Sequence, residues 1–436
     1  MKVLAALLGG RVLLVDLLAG LFGMGAWLSV NAMYTQLPIL IASAPESWNL
    51  ASYIVVLIQA ANIGGILYAL LGRRYPGEAL ERGAIYFLEA VGIAALALMA
   101  FFYQEVTVVG GQPHSVALLA LVFLSALLAC TSSVLFVPYM NRFAPTYLVS
   151  YMIGEGLSSL LPSVVSLVQG VSGDPVCVVG DDGTRQSYTP PPVFSTRTYL
   201  VATALVQAVS LAAFALLDRL PACREARVVV APKQAEQTKD GEARQQQDAA
   251  APEDAAVKPA ASLSSGVFVG LLATEAVLMA FSNGLFPSIQ SYSCQPYGTD
   301  AYHLAINLGA MANPLACYLL FFVVPTAMRT FGALTSATLA VAVYILVGSL
   351  MSPTPPLVGS TGGQVLVVVV WVVFTALVSY TKLGIASVLR ERHPRGLFWW
   401  GAVTQVGSLT GAVLAFVLLN YTTVFQSYFP PSPCDA

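Results

Sequence analysis

Charge is scarce in this sequence. Only 10% of its 436 residues are Asp, Glu, Lys or Arg, whereas a soluble globular domain carries roughly 25%. A net charge of −2 and three histidines provide neither the basic surface that nucleic acid requires nor a cluster of metal ligands. The sequence also has no CxxC pair, no HExxH motif and no grouping of nucleophile, base and orienting residue. We therefore expect no nucleic-acid partner, no metal site and no enzyme activity.

Apolar residues, in contrast, make up 57% of the chain and occur in long runs. Since a helix needs about 20 apolar residues to cross a bilayer, these runs predict an all-α polytopic membrane protein with eleven transmembrane helices. The predicted spans are centred near Leu28, Ile63, Ala94, Phe123, Pro162, Leu205, Leu278, Met311, Val341, Val373 and Leu409.

The composition changes abruptly between Asp218 and Ser264, where Gln, Glu, Lys, Ala and Pro dominate. Such a segment buries too little apolar area to offset its chain entropy. The sequence thus predicts an N-terminal six-helix bundle at 1–217, a disordered cytosolic linker at 218–264 and a C-terminal five-helix bundle at 265–436. Weak internal similarity supports this division, because NAMYTQLP in the first span is similar to NGLFPSIQ in the seventh. Two related halves are typical of a transporter with a central site.

The basic residues predict the orientation in the membrane. With the N-terminus in the cytosol, all of the 20 Lys and Arg except Arg185 and Arg197 fall on the cytosolic side, which satisfies the positive-inside rule. An odd number of spans then places the C-terminus outside the cell.

Three cysteines, Cys177, Cys294 and Cys434, lie outside or near the outer boundary of this predicted topology. A disulfide between Cys177 and Cys434 is one interpretation and free thiols are the other, since spacing alone does not give the connectivity.

Polar residues interrupt two apolar spans in the stretch 281–320. Such groups usually face a protein interior or a watery cavity, and two prolines in the same stretch, Pro287 and Pro314, loosen the helices beside them. The pattern indicates a carrier for a small polar solute. The polar residues are Asn283, Gln290, His303, Asn307 and Asn313.

Four charged residues also fall inside predicted spans. Glu155 and Lys382 either serve the site or are accounted for structurally, Glu155 by hydrogen bonds between helices and Lys382 by snorkelling to the interface. Glu89 and Glu275 could each bind a proton or another helix.

Amide and aromatic side chains in the spans have the same two interpretations. For Asn31, Gln36, Asn283 and Asn313, ligand contact competes with interhelical hydrogen bonding. The aromatic residues could stack on a planar ligand or simply pack the bundle. They are Trp27, Tyr34, Phe136, Phe286 and Tyr302.

Several segments, in the same order along the chain, resemble the eukaryotic riboflavin transporter family. The resemblance runs through nearly every span and is lost in the linker and the outer loops. The segments are FGMGAW, NAMYTQLP, CTSSVLFVPYMNR, IGEGLSSLLPSVVSLVQG, SNGLFPSIQSYSCQPYG, AYHLA, ANPLAC, SPTPPLVG and QVGSLTGAV.

The resemblance implies a plasma-membrane, multi-pass carrier that takes up riboflavin by alternating access without sodium coupling. It also implies a fold like that of equilibrative nucleoside transporters and the major facilitators. The partners it implies are riboflavin, as transported substrate rather than cofactor, and the lipid bilayer, with no obligate protein partner. Phe136 and Tyr302 become candidates for stacking on the flavin ring. The residues that match the family are Asn31, Glu155, Asn283, Gln290, His303, Asn313, Lys382 and Gln405.

The chain departs from the family pattern at several positions. Gln36 replaces a carboxylate, so a proton dependence of transport that rests on that position is in doubt. In addition, Tyr34 replaces a Trp, Met279 replaces an Asn, Thr354 replaces a cysteine and Glu275 replaces an apolar residue. Two alternatives remain open: a transporter of nucleosides or another heteroaromatic solute, and a membrane receptor that does not transport.

Overall fold

A computed structural model describes residues 12–171, 176–179, 185–227, 263–319, 322–323, 325, 327–427 and 434. This part of the chain is helical apart from two short antiparallel β-hairpins. The helices are α1 (Leu13–Met24), α2 (Leu28–Leu40), α3 (Leu50–Ala61), α4 (Ile63–Arg74), α5 (Glu78–Phe102), α6 (Val116–Met140), α7 (Pro145–Gln169), α8 (Thr196–Arg219), α9 (Pro221–Glu225), α10 (Ser265–Met279), α11 (Phe286–Cys294), α12 (Thr299–Leu319), α13 (Met328–Leu350), α14 (Thr361–Arg392) and α15 (Gly396–Tyr421). The strands are β1 (Thr107–Val109), β2 (Gln112–His114), β3 (Val176–Val179) and β4 (Arg185–Tyr188).

Nine helical segments of the described chain are long and apolar enough to cross a membrane. A tenth is added if α1 and α2, which meet at an angle of 48°, form one bent span. The prediction of an all-α polytopic membrane protein is therefore confirmed, but the count of eleven is not. The difference is α12, which is 21 residues long yet carries the His and Asn residues that lower its hydropathy.

Breaks divide three of the spans, and each has a local cause. The first lies at Gly25, where α8 packs so closely that a Cβ would overlap Ser210 Oγ. The second lies at Asn62, whose Nδ2 donates to the Gln59 carbonyl at 3.1 Å. The third is a π-helical segment, Ala280–Leu285, directly before Pro287, which cannot donate a backbone hydrogen bond.

The helices before residue 228 pack chiefly on one another, and those after residue 262 do the same. One end of the molecule, the hairpin end, carries both β-hairpins; the other, the arginine end, carries the loop between α6 and α7. Here Arg142 forms a salt bridge to Glu81, and Asp218 pairs with Arg82 and Arg227 at 3.7 and 3.3 Å.

The two halves are hydrogen-bonded together near the hairpin end. Tyr292 Oη donates to the Asn49 side chain, and Ser291 Oγ donates to the Trp48 carbonyl, both from α11 to the start of α3. Asn420 Nδ2 of α15 donates to Ser52 Oγ of α3 at 3.0 Å. These contacts close the space between the halves at that end.

The segment predicted as a disordered linker starts with ordered structure. Asp218 and Arg219 belong to α8, the short helix α9 follows, and Arg227 bridges to Phe143. The linker was predicted to begin too early because proline and charged residues also occur in a helical turn that packs on the arginine end. Residues 228–262 lie outside the described part of the chain.

A disulfide joins Cys177 in β3 to Cys434, which is one of the two interpretations that the sequence left open. Cys294, which was also placed near the outer boundary, is a buried free thiol in α11. The disulfide ties the hairpin of the first half to the chain end of the second.

Candidate functional site

Asn31 and Asn283 occupy matching positions in the two halves. Asn31 lies in α2 shortly after the break at Gly25, and its Nδ2 donates to Ser158 Oγ of α7 at 3.2 Å. Asn283 lies in the π-helical segment, and its Nδ2 donates to Ser408 Oγ of α15 at 3.0 Å. Both amides are half-buried. The structure thus repeats one amide-to-serine contact in two segments that the sequence shows to be similar.

A third amide, Asn313, also contacts a serine, but here the amide oxygen accepts the hydrogen bond. Ser379 Oγ of α14 donates to its Oδ1 at 2.8 Å, and the side chain is also half-buried. Asn313 directly precedes Pro314, so all three asparagines lie at or near an irregularity in a helix. Irregular backbone within a bilayer is tolerated where it lines a cavity or is covered by protein.

Next to two of these serines, about one helical turn closer to the arginine end, lies a charged side chain. Glu155 is three residues before Ser158, whose Oγ donates to the Glu155 carbonyl at 2.6 Å. Lys382 is three residues after Ser379. Both charged side chains are half-buried.

The positive charge of Lys382 acts on one carboxyl group in each half, Glu155 of α7 and Glu275 of α10. The Glu275 side chain is fully buried and accepts a hydrogen bond from Thr404 Oγ1 at 3.0 Å. Lys382 is therefore a cation whose charge reaches two carboxyl groups, one in each half.

Two backbone carbonyls of the second half accept hydrogen bonds from the first half. Gln59 Nε2 donates to the Asn283 carbonyl at 3.4 Å, and Ser159 Oγ donates to the Ala310 carbonyl at 2.6 Å. Each carbonyl lies four residues before a proline, Pro287 or Pro314, which has no N–H to bond it within the helix. The prolines thus make acceptors available at the interface between the halves.

Four other predicted site residues lie deeper, in the closed region toward the hairpin end. Gln36 is fully buried, and its Nε2 donates to Gln169 Oε1 at 2.7 Å. Tyr302 and His303 are buried with Tyr302 Oη and His303 Nε2 unbonded within the described chain. Gln290 is 8% exposed. These side chains can contact a solute only if the halves separate at that end.

Phe136 and Gln405 are not brought to the cluster of half-buried polar residues. Phe136 is fully buried in the aromatic core of the first half, where its ring lies 4.4 Å from that of Phe22. Its predicted role as a free stacking surface does not agree with this packing. Gln405 is exposed, and no hydrogen bond to it is found in the described part of the chain.

Two sizeable cavities, each about 380 Å³, lie away from these residues. One opens at the hairpin end and is lined by Glu46, Tyr53 and His114 among others; the second is lined by residues of α10 and α13. The candidate site is therefore defined by its polar side chains rather than by either of these cavities.

The family model for "Solute carrier family 52, riboflavin transporter" matches residues 11–427. The chain belongs to this family. Riboflavin transporter 2 of Salmo salar is 37% identical over 97% of this chain and 98% of its own length. Member 2 of the riboflavin transporters of Homo sapiens is 36% identical over 99% of this chain and 100% of its own length. Human member 3 is 34% identical over 95% and 97%.

Solved transporter structures share the fold of this riboflavin transporter family member. A D-xylose-proton symporter superposes with a TM-score of 0.54 at 11% identity and covers 94% of this chain and 90% of its own. The nucleoside transporter NupG gives a TM-score of 0.51 at 12% identity, with coverage of 93% and 90%. At these identities the likeness shows the fold alone.

Sequence reasoning missed several residues of this family member's candidate site. Gln59 and Asn62 form the break in the second span, and Ser379, Thr404 and Ser408 are the partners of the predicted side chains. The signal for the break was a pair of amides followed by two glycines in the segment QAANIGG. The serines gave no signal, because isolated hydroxyls are common in spanning helices.

Proposed function

We propose that this chain is a plasma-membrane carrier that takes up riboflavin by alternating access without sodium coupling. Its curated relatives are named riboflavin transporters. The observation that carries the proposal is that three half-buried Asn side chains, Asn31, Asn283 and Asn313, lie at or near helix irregularities in both halves. In lipid such groups are costly, whereas a solute path requires them.

The architecture proposed for this carrier has eleven spans, with α12 as the eighth and α1 with α2 as one bent first span. A six-helix bundle at 1–217 and a five-helix bundle at 265–436 then flank the site, and the segment between them lies in the cytosol. By the positive-inside rule, the arginine end and the N-terminus face the cytosol. The C-terminus is extracellular. The contacts that close the hairpin end correspond to a state closed to the outside.

The chemistry of riboflavin suits these side chains. Its isoalloxazine ring has a flat apolar face and a uracil-like edge with both donors and acceptors, and its ribityl chain carries hydroxyls. An asparagine amide has two N–H donors and a carbonyl acceptor. Each of the three asparagines shares its amide with one serine. Ser158 and Ser408 already donate to a carbonyl of their own helix, so a solute can replace either hydroxyl as the acceptor of the asparagine N–H groups.

Lys382 and Glu155 are proposed to organise the cytosolic side of the site. They lie one turn from the amides, and their attraction spans the two halves. Gln290, Tyr302 and His303 belong to the outer part of the path, which a solute meets when the hairpin end opens. Gln405 is proposed as a contact on the exposed face of α15.

The substitution Asn283→Ala tests the proposal in cells that express the protein. We expect uptake of radiolabelled riboflavin at subsaturating concentration to fall about tenfold at equal surface abundance, because one hydrogen bond worth about 1.5 kcal/mol is lost. Asn141→Ala is the matched control, since Asn141 is exposed at the arginine end of α6. Normal uptake by the Asn283 variant would remove this residue from the site.

Competition experiments separate the proposed substrate from a nucleoside. Excess lumiflavin, which shares the ring but lacks the ribityl chain, is expected to inhibit riboflavin uptake, whereas excess uridine is not. The reverse pattern would support a nucleoside transporter. Correct insertion without uptake of either solute would favour a receptor.

A further inference from the structure

Glu89 is a fully buried carboxyl group near the middle of α5. It is the twelfth residue of a helix of 25 residues, so it lies about 17 Å from the helix start at ~1.5 Å per residue. Gln207 Nε2 donates to its Oε2 at 2.7 Å, and Ser210 Oγ lies 3.0 Å from its Oε1. Neither the riboflavin path nor the salt bridges of the arginine end use this residue.

The two partners of Glu89 also hold the break in the first span. Gln207 Nε2 donates to the Gly25 carbonyl at 3.1 Å, and Ser210 Oγ donates to the Phe22 carbonyl at 3.1 Å. Gly25 has no space for a side chain, because a Cβ there would overlap Ser210. Glu89, α8 and the break therefore form one closely packed unit.

Hydrogen counting determines the form of the Glu89 carboxyl group. Gln207 Nε2 carries two hydrogens, one for Gly25 O and one for Glu89 Oε2. Ser210 carries a single hydroxyl hydrogen but contacts two acceptors, Phe22 O and Glu89 Oε1. An ionised Glu89 would leave one of these close oxygen pairs without a hydrogen. A neutral Glu89 donates from Oε1 to Ser210 Oγ, and Ser210 then donates to Phe22 O.

The surrounding charges agree with this count. Within the described chain no salt bridge reaches Glu89, and its polar interactions are those with Gln207 and Ser210. The titratable group that faces it from a packed helix is Tyr151 of α7, which brings no positive charge. From α8, Gln207 and Ser210 are neutral, as are Phe22 and Gly25 of the break. An unpaired carboxylate in such surroundings is strongly disfavoured.

We propose that Glu89 is a permanently protonated carboxylic acid that acts as a hydrogen-bond donor and positions the break of the first span. The break sets the direction of α2 and thereby the place of Asn31, six residues after Gly25. Glu89 is a positioning residue: it contacts no solute and acts through Ser210, Gln207 and the chain at Gly25. The effect on uptake rests on the proposed riboflavin transport, whereas the protonation does not.

Infrared spectroscopy of the purified protein tests the protonation directly. We expect a carbonyl stretching band of a neutral carboxylic acid that disappears in Glu89→Gln and persists when the pH is raised from 6 to 8, about the range in which an ordinary carboxyl is ionised. A spectrum that lacks a neutral-acid band sensitive to this substitution would overturn the proposal.

Uptake measurements test the positioning role. Glu89→Gln can donate from its amide to Ser210 and accept from Gln207, so riboflavin uptake within about twofold of wild type is expected, with an unchanged pH profile. Glu89→Ala removes both bonds, and uptake is expected to fall at least about tenfold at equal surface abundance. Equal loss in both variants would refute a role that depends on a donated hydrogen.

The two readouts keep this inference apart from the transport proposal. If wild-type protein moves no flavin, riboflavin transport fails while the infrared band still decides the state of Glu89. If Glu89→Ala does not reach the surface, Glu89→Gln and the infrared spectrum remain decisive.

Discussion

At the scale of single residues, Lys382 is a cation whose electrostatic influence reaches an acid in each half. Its ammonium group attracts Glu155 of the first half and Glu275 of the second. Glu275 is one of the positions at which this chain departs from the family pattern. The second acid changes the local balance to two acids and one base, and Glu275 also accepts a hydrogen bond from Thr404 Oγ1 at 3.0 Å.

Replacing the lysine tests this arrangement. Lys382→Met keeps most of the apolar stem but removes the positive charge that acts on both carboxyl groups, and an uncompensated acid inside a bilayer is costly. We expect riboflavin uptake to fall by about tenfold or more at equal surface abundance, a difference of at least about 1.4 kcal/mol. The measurement is initial-rate uptake in cells.

Two further variants complete that experiment. Arg390→Met is the matched control, because Arg390 is exposed near the arginine end of α14. Adding Glu275→Gln to Lys382→Met is expected to restore part of the uptake, since it removes one of the two uncompensated acids. Uptake by Lys382→Met that equals wild type would show that the lysine only snorkels to the interface.

The residue-level predictions differed in outcome according to what the sequence could reveal. The amides were found because a polar group in an apolar run is conspicuous. Their partners were not: Ser158 is separated from Asn31 by 127 positions and Ser408 from Asn283 by 125. Phe136 shows what the sequence cannot reveal about aromatic residues. Its place in an apolar span would be the same whether its ring stacked on a ligand or, as found, on Phe22.

At the scale of helices, proline determines where the two halves can meet. Pro287 and Pro314 leave carbonyls that Gln59 and Ser159 of the other half bond. Length and hydropathy located the spans, but the breaks at Gly25 and Asn62 were missed, because the apolar runs continue through both. The break at Gly25 results from the close packing of α8 against this residue, not from a change of composition.

Restoring one backbone donor tests the importance of these carbonyls. Pro314→Ala supplies an N–H to the Ala310 carbonyl, which then competes with Ser159 Oγ and straightens α12. We expect riboflavin uptake to fall several-fold, about the effect of losing one hydrogen bond between the halves, with no loss of thermal stability. Uptake and melting temperature are the two measurements.

The matched control is Pro145→Ala. Pro145 is the first residue of α7 and is exposed, so its replacement adds an N–H where no helical carbonyl awaits it. If Pro314→Ala transports like this control, the carbonyl of Ala310 has no part in the movement of the halves.

At the scale of the whole molecule, the structure is closed at the hairpin end and has its polar residues between the halves. Tyr292, Ser291 and Asn420 close that end against α3 and the turn before it, and the disulfide of Cys177 with Cys434 joins the two halves there. The charged groups lie on the opposite side of the amides. For the proposed alternating access, the hairpin-end contacts must break when the solute enters from that side and form again before it leaves from the other.

The overall architecture was predictable because hydrophobic run length is a direct physical requirement of the bilayer. The count of eleven spans stays a prediction, since α12 carries His and Asn residues that lower its hydropathy. The disulfide could be named only as one interpretation, because the chain between its cysteines is 257 residues long and the fold alone brings them together.

The most direct test of the central claim is riboflavin flux into liposomes that contain the purified protein, followed by flavin fluorescence. We predict saturable uptake that lumiflavin inhibits, that needs no sodium and that falls about tenfold in Asn283→Ala but not in Asn141→Ala. Flux no greater than that of empty liposomes, with the protein shown to be folded and inserted, would contradict the account.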